Sequence, residues 1–410
     1  MKRNTIGLLS AATVLLAAAP FAAAEEAGSF SEAFTAGKAG ANVRARYEYV
    51  DSDLFDDNAN ALTARLRLNF KTAQWNRTTA FAEYDYVFGI VNDYNSGFGT
   101  SPGNTDYPVV ADPKGADLNQ LYLDYQFNEE WKGRLGRQRI LLDNQRFVGG
   151  VGWRQNEQTY DAFTLKTKAI PRTDFLYSYV GYVRRIFGER AGTPAGKNNV
   201  NTHLLNAKVT LNDSWSLTPY YYYIDNHDIA AFSTSTVGIR LTGGLKAGEG
   251  KVNLVAEIAT QSDTADNPVS YDADYFNVGA TWALANGLSL GLAYESLGGH
   301  ESELGASFRT PLATLHAFQG WADMFLVTPP EGVNDVFATV KYKAGQWNLT
   351  GVYHNFTSEA GSGDYGSEFD LSAGTKLTEN YGILFKGALF SSDSAYPDVT
   401  KFWIMFTANY

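Results

Sequence analysis

Read backwards from the C-terminus, Tyr410, Ala408, Phe406, Ile404 and Phe402 lie on one side of an extended chain. Asn409, Thr407, Met405 and Lys401 lie on the other, together with Trp403. A period of two with one apolar side describes a strand; a helix would repeat its apolar positions at three and four. The pattern recurs over 43–49, 62–70, 80–88, 121–127, 131–142, 158–166, 175–183, 205–211 and 217–223, then over 237–241, 252–258, 276–282, 288–294, 336–342, 347–353, 369–373 and 383–389. With the last strand, that makes 18 segments. Connections between them alternate in length. Those at 71–76, 128–130, 168–172, 212–214, 243–249, 285–287, 344–346 and 378–380 are short and turn-like, whereas the alternate ones are long and polar, the longest being 89–116 and 297–332.

An even set of strands with a continuous apolar side and alternating short and long connections predicts an all-β fold: a transmembrane antiparallel β-barrel of about 18 strands, with short periplasmic turns and long extracellular loops. Closure satisfies every backbone donor and acceptor, which an open sheet in lipid cannot do. Residues 1–24 read as a secretory signal, with Lys2 and Arg3 before the apolar run 6–16 and Ala22-Ala23-Ala24 as the exit. Residues 25–40 are then a short periplasmic segment and 41–410 the barrel. The absence of cysteine removes disulfides, thiolate metal sites and thiol catalysis, and a net charge of −11 argues against nucleic acid as a partner. The expected surroundings are outer-membrane lipid; no cofactor or metal is indicated, and monomer and trimer both remain open.

If apolar positions face lipid, their neighbours face the lumen. On the first two strands these are Arg44, Arg46, Arg65 and Arg67, and across the closing seam Lys401, Lys386, Lys341 and Lys343. Glu83, Asp85, Asp124, Glu257, Glu295, Glu368 and Asp370 also point inward, so the lumen is mixed. The segment 133–161 adds Arg134, Arg137, Arg139, Arg146 and Arg154, a density of guanidinium groups that suits an aqueous interior or a solvated hairpin. Strict alternation would place Arg137 and Arg139 on the lipid side with Trp131, Gly133 and Leu135. A β-bulge at or beside Gly136 is therefore predicted, turning both arginines inward and Ile140 and Leu142 outward. The connection 297–332 carries Phe308, Phe318, Trp321, Met324 and Phe325, too apolar for a solvated loop. It is expected to fold inward and bring Trp321 and Asp323 opposite the arginines, or else to pack on the rim.

Gly136-Arg137-Gln138, Asp143-Asn144-Gln145-Arg146-Phe147-Val148-Gly149 and Trp153-Arg154-Gln155-Asn156-Glu157-Gln158-Thr159-Tyr160-Asp161 resemble the hallmark segment of the alginate export family of outer-membrane proteins. Residues 315–325, from Leu315-His316 through Gly320-Trp321-Ala322-Asp323 to Phe325, are similar to a second family segment. The resemblance implies an 18-stranded barrel with an arginine-lined pore; the founding member exports a polyuronate. That member plugs its pore with a long periplasmic turn, and no periplasmic turn here is long enough, so the architecture and the anion-friendly pore carry over and the polymer does not.

The function expected is an outer-membrane channel for anionic solutes, carboxylated saccharides or small organic acids, lined by Arg44, Arg46, Arg65, Arg67, Arg134, Arg137, Arg139, Arg146 and Arg154 with Trp321 and Asp323. A closed structural or adhesive barrel is the alternative. A hydrolase is the less favoured one: Asp225-Asn226-His227 with Asp272 and Asp274 is similar to the Asp-x-His and carboxylate pairs of outer-membrane proteases, but those barrels have far fewer strands. Tyr220 to Tyr223 are read as an aromatic girdle.

Overall fold

The computed structural model describes residues 26–394 and 396–410; the signal segment read over 1–24 lies outside them. The strands are β1 (Lys38–Ser52), β2 (Ala59–Lys71), β3 (Thr78–Asp93), β4 (Gly115–Gln126), β5 (Trp131–Gln138), β6 (Thr159–Thr167), β7 (Thr173–Arg184), β8 (Lys197–Asn212) and β9 (Trp215–Asn226). They continue as β10 (Thr234–Ala247), β11 (Gly250–Asp263), β12 (Asp272–Ala283), β13 (Leu288–Leu297), β14 (Val333–Ala344), β15 (Trp347–Thr357), β16 (Asp364–Lys376), β17 (Tyr381–Ser392) and β18 (Val399–Asn409). Every strand is antiparallel to its sequence neighbours, and β1 pairs β18 from Asn42↔Asn409 to Ser52↔Val399, which closes the 18-stranded sheet. Closure leaves no free edge strand to the sheet.

The apolar side of each strand faces out. Leu68, Leu121, Leu135, Leu292, Val340, Leu371 and Ile404 are all exposed, as lipid-facing residues of an isolated barrel must be. At the short-turn end Trp282, Tyr342 and Tyr410 form part of an aromatic belt, and the hydroxyls of Tyr381 and Tyr410 meet at 2.6 Å. The short helix α1 (Phe30–Thr35), N-capped by the Ser29 hydroxyl on Glu32 N, lies at this end, with Phe30 against Trp75 and Phe34 against Phe70. Tyr220 to Tyr223 do not form a girdle. Tyr220 and Tyr222 are buried inside, and Tyr221 is exposed on the outer side, because consecutive strand residues alternate between the two.

The bulge expected at Gly136 is absent. The ladders of β5 to β4 and to β6 run unbroken through it, from Gln126↔Lys132 to Leu121↔Arg137 and from Trp131↔Thr167 to Gln138↔Tyr160. Gly136 sits at φ 124°, where a Cβ would fall 2.3 Å from the Leu121 carbonyl oxygen, so glycine is required for the close strand approach and not for a change of phase. Register shifts occur instead on neighbouring strands, at Glu83/Tyr84 between β3 and β4 and at Asp161/Ala162 between β6 and β7. β5 also ends at Gln138, earlier than expected. Ile140 and Leu142 are buried in the segment that follows, not turned outward.

Candidate functional site

Three long connections, 94–114, 139–158 and 298–332, fill the long-loop half of the lumen. Their apolar residues explain why. Phe147 packs on Tyr220, Tyr275 and Phe308, and Phe325 on Phe356, Tyr365 and Phe390, burying surface that a solvated loop would expose to water. Two of the connections are joined through backbone hydrogen bonds, Gly149 N to Leu312 O (2.8 Å) and Thr314 N to Gln145 O (3.0 Å), which satisfy polar groups that folding inward would strand. Inward folding of 298–332 thus follows from its composition.

The arginines meet these loops. Arg46 pairs with Asp112 of the first loop and with Glu48 at 3.4 Å, and donates to the Trp153 carbonyl. Arg67 faces Asp85 across the ladder, with its Nε and Nη2 on the two carboxylate oxygens at 2.7 and 2.6 Å, and holds Glu157 at 2.5 Å. Arg139 binds Glu83 (2.6 Å) and Glu157, and Arg146 binds Glu295 (2.8 Å) while its guanidinium lies 4.9 Å from the Phe318 ring. Burial would raise the Glu157 carboxyl, but Arg139 and Arg67 hold it well below the usual carboxylate range.

Arg154 reaches Glu48 on β1 at 3.0 Å and Asp323 of the third loop at 3.2 Å. Asp323 also takes Lys401 Nζ (2.9 Å) and His316 Nδ1 (2.7 Å). Burial pushes its carboxyl up, and His316, Lys401 and Arg154 pull it well below its ordinary value. His316 Nε2 lies 2.6 Å from Lys386 Nζ. An ammonium only donates, so Nε2 accepts and the proton of a neutral ring sits on Nδ1, facing Asp323. Burial drives the His316 pKa down to about 3, which keeps the ring in that form. Lys386 Nζ lies 3.8 Å from the Trp321 ring and 4.4 Å from that of Trp153. The N–H groups of Trp321 and Ala322 both point at Glu368 of β16, the turn being made by Gln319 and Gly320 at positive φ. Asp323 and Trp321 are therefore brought to the arginines, as a clamp between loop and wall.

Arg44 and Arg65 differ from the rest. They stand directly opposite one another on β1 and β2, both buried, and neither makes an ion pair among the described residues. Arg44 donates to the Gln155 side chain and to the carbonyls of Gly152 and Arg154; Arg65 donates to the Gln155 carbonyl and to Asn42. In the short-turn half, Arg134 holds Asp124 through two bonds and stacks 3.8 Å from the Tyr122 ring, and Arg240 pairs with Glu257. Lys166, Lys208 and Lys341 also face the lumen there, and among the described residues they form no ion pair.

Arg137 is not a lumen residue. It pairs across the ladder with Asp161, two positions beyond Leu135↔Phe163, whose side chains are exposed to lipid, so in an unbroken ladder it shares their side. Its charge is met there by Asp161 at 2.8 Å and by Glu189 at 3.4 Å. Glu48 was legible as an inward neighbour of Arg46 but was missed; Asp112, Glu157 and His316 lie in aperiodic loops that give no sequence signal for their partners. Asp225 and His227 meet at 3.2 Å, and among the described residues no group of three His, Asp or Glu side chains is arranged to hold a metal.

Comparison with known proteins agrees with the barrel fold. The profile of the alginate export family matches residues 36–298. No curated protein sequence matches the chain. Solved structures of similar fold include Pseudomonas aeruginosa OpdO (TM-score 0.69, 11% identity, covering 93% of this chain and 98% of that one) and OccK9 (OpdG) of the same organism (0.70, 13%, 92% and 99%). OpdK from that organism, solved with vanillate, is another (0.67, 11%, 91% and 98%). With its closed 18-stranded barrel, its alternating connections and a profile match over most of its length, the chain belongs to the alginate export family: it is a porin of the bacterial outer membrane, not an enzyme.

Proposed function

We propose that this channel prefers anions and passes small carboxylated solutes, organic acids or carboxylated sugars. The observation that carries this reading is the Arg44–Arg65 pair: two guanidiniums side by side in the lumen wall, hydrogen-bonded only to neutral carbonyl and amide groups and in ion pair with no carboxylate among the described residues. Like charges directly opposite each other in a ladder repel, and the field of the pair favours a passing carboxylate over a cation. Lys166, Lys208 and Lys341 extend the positive surplus towards the periplasmic exit. We assign Arg134, Arg139 and Trp321 to lining the solute path, Arg44 and Arg65 to supplying its positive field from beneath the 139–158 loop, and Arg46, Arg67, Arg146, Arg154 and Asp323 to anchoring the infolded loops. Fixed charge at the narrowest level decides what crosses a wide barrel.

Reversal potentials of the purified protein in a planar bilayer under a salt gradient test the reading. Anion preference is expected, weakening as salt screens the lumen charges. The Arg44→Gln/Arg65→Gln variant should lose most of it. Cation preference, or a preference unchanged in that variant, overturns the assignment. The packing of three loops into the lumen favours one other reading, a closed structural barrel, and a silent bilayer would support it.

A further inference from the structure

The outer wall carries a charged site that passage through the lumen does not use. β5 has eight residues and pairs with β4 only over 121–126, so 115–120 of β4 meets no β5 partner. Side chains close the gap. Arg137 and Arg184, held on the lipid side near the extracellular end, share two carboxylates. Asp161 takes Arg137 Nε at 2.8 Å and Arg184 Nη2 at 2.6 Å; Glu189 Oε1 takes Arg184 Nη1 at 2.5 Å and Arg137 Nη2 at 3.4 Å. Arg137 Nη1 donates to the carbonyl of Leu118 (2.7 Å), a residue with no β5 partner. The Arg184 guanidinium also lies 5.6 Å from the Tyr182 ring.

The two carboxylates are held differently. Asp161 is on β6, in register with Arg137, and its side chain is 27% exposed. Glu189 is 56% exposed and opens a single 3-10 turn, 189–191, bounded by Gly188 at φ 73° and Gly192 at φ 67°. Beyond its side chain the arm meets the wall through one long contact, Glu189 N to Asp117 Oδ1 at 3.4 Å, and glycine at both ends gives its backbone room to move once that contact opens. Glu189 is thus a carboxylate on a hinged arm, lodged in a two-guanidinium site whose floor Asp161 fixes. Below it a cavity of about 20 Å³ reaches Glu157 on the lumen side, room for about one water.

We propose that the Arg137–Arg184 pair docks the carboxylate headgroup of an amphiphile from the outer leaflet, with Glu189 as the internal competitor that occupies the site in its absence. The exchange moves no net charge at the arginines, since one carboxylate leaves as another arrives. Guanidinium forks suit carboxylates, and the exposed Leu118, Leu121 and Leu135 beside the site offer the tail an apolar track.

The test is binding of a fluorophore-labelled long-chain fatty acid to the full chain in lipid nanodiscs, followed by polarisation, with heat-modifiable gel migration confirming that each variant is folded. If Glu189 occupies the site about nine-tenths of the time, Glu189→Ala and Glu189→Gln should each tighten binding about ten-fold. Adding Arg137→Gln/Arg184→Gln should abolish that gain, and the methyl ester of the probe should not bind. An affinity unchanged or weakened by both Glu189 variants overturns the proposal. So does a methyl ester that binds as well as the acid, or a phosphate monoester of the same chain that binds more tightly than the carboxylate.

Discussion

The two halves of the lumen differ in what their cations are tied to. Towards the extracellular mouth, Arg46, Arg67, Arg139, Arg146 and Arg154 each meet a carboxylate, and most of these pairs join the wall to an infolded loop. Towards the periplasm Arg134 and Arg240 are paired within the wall itself, whereas among the described residues Lys166, Lys208 and Lys341 form no ion pair. A buried pair costs desolvation and contributes geometry, because removing one partner strands the other, whereas an unpaired cation in an aqueous lumen contributes field. Arginine content alone is therefore a poor guide to selectivity; what matters is which cations lack an acid. Arg44 and Arg65 are the exception within the upper half, and the anion preference proposed above depends on that.

The sharpest way to break the comparison is at Asp323, where Arg154, Lys401 and His316 converge. Removing one partner of a buried ionic network costs about 3–5 kcal/mol. Asp323→Ala should therefore release the 298–332 loop and raise single-channel conductance several-fold. A folded variant with unchanged conductance would mean that apolar packing around Phe308 and Phe325 holds the loop unaided.

A smaller effect is expected from the lower half. Lys166→Gln/Lys208→Gln/Lys341→Gln should leave conductance near that of the parent, since among the described residues no loop is hydrogen-bonded or ion-paired to these lysines, and should reduce anion preference by less than the Arg44→Gln/Arg65→Gln change does. Reversal potentials measured at low salt, where screening is least, would show it. A larger loss than in the arginine variant would move the selective level to the periplasmic exit.

Near neutral pH the smallest effect is a pH dependence, which grows only on acidification. His316 has its pKa lowered to about 3 in the clamp, against an ordinary value near 6.5 once the loop is released. The released state therefore binds more protons between those values. The clamp is fully stabilised above about pH 6.5 and weakens as pH falls towards 3, by at most about 1.4 kcal/mol per pH unit. Asp323, with its carboxyl depressed, acts in the same direction, but only below the ordinary carboxylate range. Conductance fluctuations should grow between pH 6.5 and pH 4, and His316→Gln, which keeps an amide donor and acceptor but no titration, should flatten that profile. Growth on the alkaline side instead would contradict the assignment of a neutral His316.

Alternation and connection length were enough to determine the barrel, its strand number and which side of β1 carries Arg44 and Arg46, because a pleat of period two acts at every residue and needs no distant partner. The apolar content of 298–332 likewise announced that it would not stay in water. Partners were a different matter. That Asp323 meets Arg154, Asp112 meets Arg46 and Glu157 meets Arg67 follows from where aperiodic loops come to rest, which no local period encodes. The phase of β5 shows the same limit. Sequence demanded an escape for Arg137 from the lipid side and suggested a bulge at Gly136; the fold kept the ladder intact and brought Asp161, Arg184 and Glu189 to the arginine instead. A charge can be accommodated by moving the backbone or by supplying counter-charges, and only the tertiary structure, which sets those neighbours beside it, decides which is the less costly.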